Sequence, residues 1–173
     1  MKILASYSDL ANLYNYAPQK SQSASLTMAQ LFLQQKVAMH ISGRWLVPKY
    51  REQAKFDWDI LPFPRGSCGS IVNIDSSGYA LAKSSKNKEA ALNFINFISS
   101  QQSLEKLTQS GLIVPARKDV ANSKVFLSKQ KPQNAKYFID VIDDGVVIPI
   151  NENYQREVDV LNQKLESVFL GKK

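Results

Sequence analysis

Three adjacent residues, Gly43, Arg44 and Trp45, stand just behind the apolar run Val37 to Ile41, and their types suit recognition better than catalysis. Glycine lets the backbone come close to a ligand, arginine offers a planar fork of donors to hydroxyls or carboxylates, and tryptophan offers a flat apolar face. A pyranose ring has a matching face of axial C–H groups, with hydroxyls at its edge. The same tryptophan would serve equally well in a core beside Leu46 and Val47, and side-chain chemistry alone leaves the two readings level.

Catalytic constellations are not evident elsewhere. His40 is the only histidine and sits inside the apolar run, where a packed imidazole is the commoner outcome than a general base. Ser76 and Ser77 have no base nearby in sequence, no Gly-x-Ser-x-Gly elbow exists, and no glycine-rich loop is placed to cradle phosphate. Asp57 and Asp59 lie two apart, on one face of an expected strand, where they would bind a cation, work as acid and base, or simply face water. Cys68 is alone, which excludes an internal disulfide, and one Cys with one His excludes a Cys/His metal cluster. In its "RGSCGS" setting it reads as an incidental loop cysteine. No catalytic residue, metal or cofactor is expected.

The elements that must position these residues follow from pattern. Thr27-x-x-Gln30 is a capping-box pattern that opens a helix over Ser25 to Lys36. Val37 to Ile41 then predicts a strand covered on both faces, broken at Gly43. A short helix is expected within Trp45 to Ala54, with Pro48 in its first turn. Phe56, Trp58 and Ile60 alternate with Asp57 and Asp59, a half-buried strand ended by Pro62 and Pro64. An irregular extended stretch interrupted at Asp75 to Gly78 precedes a short strand over Tyr79 to Ala82.

In "NKEAALNFINFISS", Ala91, Phe94, Ile95 and Ile98 make one apolar stripe of a helix. Ser99-x-x-Gln102 reads as a second capping box, opening a helix that closes at Gly111. "LIVPAR" is an extended connection. A short helix over Ala135 to Asp144 closes at Gly145, and a final one, Tyr154 to Leu170, carries Val158, Leu161, Leu165, Val168 and Phe169 on one face and ends at Gly171.

With 173 residues the chain has the size of one ordinary domain, and 44% hydrophobic with 21% charged residues indicates a folded protein. The net charge of +7 is spread among polar loop positions, which fits a solvated surface. The opening "MKILASYSDL" has too short an apolar run for a signal peptide, and no later stretch approaches a membrane span. Taken literally, the chain is neither exported nor inserted.

Four pieces, "FLQQKVAMHISGRW", "WDILPFPRG", "SSGYALAKSSKNKEAALNFINFISSQQS" and "GLIVPARKDV", together resemble the C-terminal part of the family 1 extracellular solute-binding proteins, the sugar-binding components of ABC importers. They fall in family order and cover roughly Ser25 to Val120. The resemblance implies an α/β, helix-rich C-terminal portion of a periplasmic-binding-protein-like fold with two lobes, the first lobe incomplete. Its segments would be a second-lobe piece over about 1–72, a piece crossing to the first lobe over 73–110, and C-terminal helices over 111–173. It also implies an interlobe cleft that binds a carbohydrate, an oligosaccharide by preference, for delivery to ABC permease subunits. Gly43 and Trp45 would lie in that cleft with Arg44 beside them, and the turn Ser76-Ser77-Gly78 would approach it. The parent would be extracellular or periplasmic and membrane-anchored.

Two departures stand out. Gln35 precedes Lys36 where the family often has glycine, and the first half of the family pattern is missing. A part of one lobe would bind sugar weakly by itself and would leave an apolar surface open to self-association. Two readings of other classes compete. One is a nucleic-acid or acidic-surface module using the +7 charge with Tyr14, Tyr16, Trp45 and Tyr50, whose binding would fall steeply with salt. The other is an inactive truncated fragment. The scattered lysines and the missing RNA-binding signatures count against nucleic acid as a partner.

Overall fold

The structure is a computed structural model that describes residues 2–19, 21, 25–67, 69–148 and 151–170. Cys68 and Gly171, both singled out in the sequence, lie outside the described residues. The chain divides into two compact units. One comprises Met1–Ile41 with Pro149–Lys173, and the other Ser42–Ile148.

In the first unit, helix α1 (Lys2–Asn12) packs against the long C-terminal helix α8 (Tyr154–Phe169). Ser8 on α1 donates its hydroxyl to the Val168 carbonyl at 2.8 Å, and Asn12 Nδ2 reaches the Phe169 carbonyl at 3.1 Å. These bonds satisfy carbonyls that the end of α8 would otherwise leave open. Helix α2 (Met28–Leu33) has the expected capping box: Gln30 N donates to Thr27 Oγ1, and Thr27 N donates to the Gln30 side chain at 2.8 Å.

The run Val37 to Ile41 is a correction. Among the described residues it joins no ladder, Ala38 sits at a bend, and Met39 and Ile41 stand 78% and 75% exposed. Apolar composition alone cannot make a strand, because the backbone N–H and C=O groups need a neighbour to pair with. The same holds for Phe56 to Ile60 and Tyr79 to Ala82. In the former, burial alternates as expected, with Trp58 buried between exposed Asp57 and Asp59, yet no partner strand pairs with it among the described residues.

The second unit holds the 3-10 turn Arg44–Leu46, α3 (Val47–Gln53), α4 (Lys88–Ile98), α5 (Gln101–Gln109), α6 (Lys118–Ala121) and α7 (Tyr137–Asp140). The one sheet among the described residues is a parallel pair, β1 (Val72–Asn73) and β2 (Gly145–Val146), with Val72 opposite Gly145 and Asn73 opposite Val146. Its core gathers Val47, Tyr50, Trp58, Val120, Ala121, Phe126 and Ala135. Helices α4 and α5 pack in sequence, and α5 packs on α6. The cap of α5 is Ser100, whose hydroxyl accepts from Ser103 N, and Ser99 instead closes α4. Gly111 ends α5 with φ +83, and a Cβ there would come within 2.7 Å of Arg51 Nη1 and 3.0 Å of Val47 Cγ1. Glycine is therefore required on both conformational and steric grounds.

Candidate functional site

Gly43 is extended, at φ −118 and ψ 177, and caps the 3-10 turn, where Leu46 N donates to the Gly43 carbonyl at 3.3 Å. The turn runs straight into α3, with Pro48 in the first turn, where its missing N–H costs nothing and its fixed φ suits the helix. Val47 and Tyr50 on α3 are buried, so this helix is anchored and the turn before it sits on a firm base.

Within the turn, consecutive side chains leave in opposite directions. Trp45 is 64% exposed, and its ring lies against Gly43, so close that a Cβ on residue 43 would collide with ring atom Cζ3. The glycine thus gives the indole a seat on bare backbone. Arg44 departs from the expected fork held out to a ligand. It is 4% exposed, and its guanidinium carbon lies 4.1 Å from the centroid of the Phe126 ring and 5.4 Å from that of Phe138. Its Nε and Nη1 are buried without a hydrogen-bond partner. Burial, and secondly the charge of Arg51, pulls its pKa down to about 10, which leaves it a cation at neutral pH.

Ser76, Ser77 and Gly78 lie on an exposed loop of the same unit. Ser76 N donates to Asp75 Oδ1 at 2.9 Å, a local tie that shapes the turn. Among the described residues, no hydrogen bond joins this loop to Gly43, Arg44 or Trp45.

The carboxylate pair does structural work. Asp57 forms an ion pair with Lys131, and Asp59 accepts from Asn134. His40 is half-buried and meets Phe32 with ring centroids 5.3 Å apart. Burial holds its pKa below the ordinary histidine value, against a smaller upward pull from a backbone hydrogen bond at Ile41. Among the described residues, no group of three or more His, Cys, Asp or Glu is placed to hold a metal ion, and no helix is long and apolar enough to cross a membrane.

One feature escaped the sequence: an open groove of about 420 Å³ lined by Tyr50, Phe56 and Trp58 together with Arg51 and Lys131. The alternation at Phe56 and Trp58 signalled burial, but nothing in the sequence signalled the arrival of residue 131. Arg51 Nε already donates to the Lys131 carbonyl at 2.6 Å, and the Lys131 ammonium is paired with Asp57. Tyr50 and Trp58 are 6% and 8% exposed, so the groove presents little aromatic face. Trp45 offers far more.

Comparison with known proteins places the fold in a class. The fold is that of an ABC substrate-binding protein: a structure of one from Listeria monocytogenes, in complex with cycloalternan, superposes on 99% of this chain with a TM-score of 0.82 at 20% identity, and 44% of that protein is covered. The helix-rich α/β chain therefore carries part of a periplasmic-binding-protein-like fold. Residues 2–138 match the family described as bacterial extracellular solute-binding protein, and the chain belongs to that family. Binding proteins of Brucella abortus and Brucella suis are 26% identical over 146 residues, which span 82% of this chain. The match spans 34% of those relatives, about a third of their length.

Proposed function

We propose that this chain supplies part of a saccharide-binding site in a solute receptor that serves an ABC importer, and that Trp45 is the stacking platform of that site. The observation that carries the reading is the 64% exposed indole seated on Gly43 at the entry to α3. An exposed tryptophan held by backbone on one side leaves its other face for the C–H face of a sugar. Ser76 and Ser77, with Gly78 leaving open space beside them, provide hydroxyls and backbone groups for the sugar's edge. Support for a saccharide, an oligosaccharide in particular, comes from the Listeria neighbour's ligand. Support for binding over catalysis comes from the family.

In the full-length receptor the site faces the extracellular or periplasmic side, on a membrane-anchored protein that hands its ligand to permease subunits. This chain alone binds weakly, since one wall of a cleft covers little of a ligand. Its other contact is with itself. Helix α4 has no buried residue, and Phe94 and Phe97, three apart on one side of it, stand 61% and 65% exposed, an apolar face through which a second copy docks. Sedimentation velocity should show association that weakens in Phe94→Lys, and a monomer at all concentrations would discard this contact.

The test of the site is a titration of the Trp45 indole N–H resonance with mono- and oligosaccharides, cycloalternan among them, up to high sugar concentration. A saturable shift, insensitive to salt and lost in Trp45→Ala, supports the reading. A folded chain whose Trp45 resonance ignores every sugar overturns it, and a response that collapses with salt would favour an acidic ligand instead.

A further inference from the structure

Arg44 is the unexplained cost in the site. A guanidinium that is 4% exposed, with Nε and Nη1 unpartnered, is an expensive way to fill space. A methionine or leucine would occupy the same volume without stranded donors, and apolar replacement of buried charge is often neutral or favourable. What an apolar side chain lacks is the preferred approach of a flat cation to an aromatic face, here 4.1 Å from the Phe126 centroid with Phe138 at 5.4 Å. Phe126 is 1% exposed and so is itself fixed.

Arg44 and Trp45 are consecutive residues of one three-residue turn. Rolling that turn to swing the indole would drag the guanidinium off its ring. The indole is stopped on the other side by Gly43, where it rests on backbone. The exposed tryptophan thus rests on a bare glycine, in a turn whose preceding side chain is a buried cation on Phe126.

We propose that Arg44 is a positioning residue: it never touches ligand, and by locking onto Phe126 it fixes the outward direction of Trp45, so that the platform is set before a sugar arrives. This rests on the saccharide reading for its purpose, but the positioning can be measured without sugar. Preorganisation of this kind raises affinity by removing the ordering cost at the moment of binding.

The experiment uses Arg44→Met and Arg44→Lys in a Trp58→Phe background, which leaves Trp45 as the single tryptophan. Time-resolved fluorescence anisotropy and acrylamide quenching read Trp45 mobility without ligand, circular dichroism reads the fold, and saccharide titration reads affinity. Arg44→Met is expected to keep the melting temperature or raise it, yet to free the indole, increase quenching, and weaken sugar binding about 10-fold. Arg44→Lys, which keeps a cation over the ring, is expected to recover part of the anisotropy. Unchanged Trp45 mobility in a folded Arg44→Met protein overturns the proposal, whatever the sugars do. If that variant does not fold, Arg44→Lys decides alone: indole motion intermediate between the parent and a free tryptophan supports the proposal, and parental motion overturns it. A freed indole in a protein whose parent binds no sugar leaves the positioning standing and defeats the saccharide reading.

Discussion

Asn134 grips Asp59 twice, its backbone N–H donating to Oδ1 at 3.1 Å and its side-chain amide to Oδ2 at 2.9 Å, across 75 residues of sequence. Asp59 Oδ1 also accepts from Ile60 N at 2.9 Å. The carboxylate therefore stands in for the missing partner strand, fastening the extended segment around Trp58 to the segment before α7. Its neighbour Asp57 makes one ion pair with Lys131 from an 89% exposed side chain. Hydrogen bonds to a charged acceptor outweigh a solvated ion pair. Asp59→Ala is expected to cost about 1 kcal/mol in urea unfolding, and Asp57→Ala less than about 0.5 kcal/mol. Equal losses would show that Asp59 has no special fastening role.

That fastening marks the limit of what pattern alone discloses. Helix ends were legible because caps and breakers act within a few residues: Thr27 with Gln30, Pro48 in a first turn, Gly111 at a terminus, and the bounds of α8 all stand close to where local chemistry puts them. Strands were not, because a strand exists only beside another. Val37 to Ile41 has the composition of a doubly covered strand and has no partner among the described residues. In the site, an aromatic beside a glycine was readable. The inward turn of Arg44 was not, since it depends on Phe126 and Phe138, far along the chain.

Gly43→Ala tests the seat of the indole. Residue 43 lies at φ −118, where any residue is comfortable, so the substitution brings no backbone strain. Its added methyl would occupy the place of the Trp45 ring. Because the ring is largely in water, displacing it unpacks no core, and the melting temperature should shift by no more than a few degrees. The Trp45 emission maximum and quenching should change clearly, and saccharide affinity should fall with them. An unchanged Trp45 spectrum in Gly43→Ala would mean that the glycine is not the seat.

Thr108 offers a gain in place of a loss. Its side chain on α5 is 1% exposed, and Oγ1 is buried without a partner. Valine has nearly the same shape and no hydroxyl to strand. Thr108→Val should therefore stabilise the chain by roughly 1 kcal/mol, the penalty of an unsatisfied buried polar group. A urea midpoint that moves down would mean that the hydroxyl has a partner, such as an ordered water, that the substitution removes.

His40 makes stability depend on pH, and the sign follows from its environment. Burial is the larger influence and disfavours the imidazolium, so the folded-state pKa lies below the unfolded one; the backbone hydrogen bond at Ile41 only partly offsets this. As pH falls through the ordinary histidine range, the unfolded chain takes up a proton that the folded chain refuses, and the equilibrium moves toward unfolding. Above that range both states are neutral at this position and the effect vanishes. Once pH falls below the folded-state pKa, both states carry the proton and the loss levels off. Urea unfolding of the parent and His40→Gln between pH 8 and pH 5 separates this contribution from the carboxylates, which titrate lower and are common to both proteins. The parent should lose stability relative to the variant as pH drops below about 6.5. Parallel curves would show that His40 is no less basic folded than unfolded.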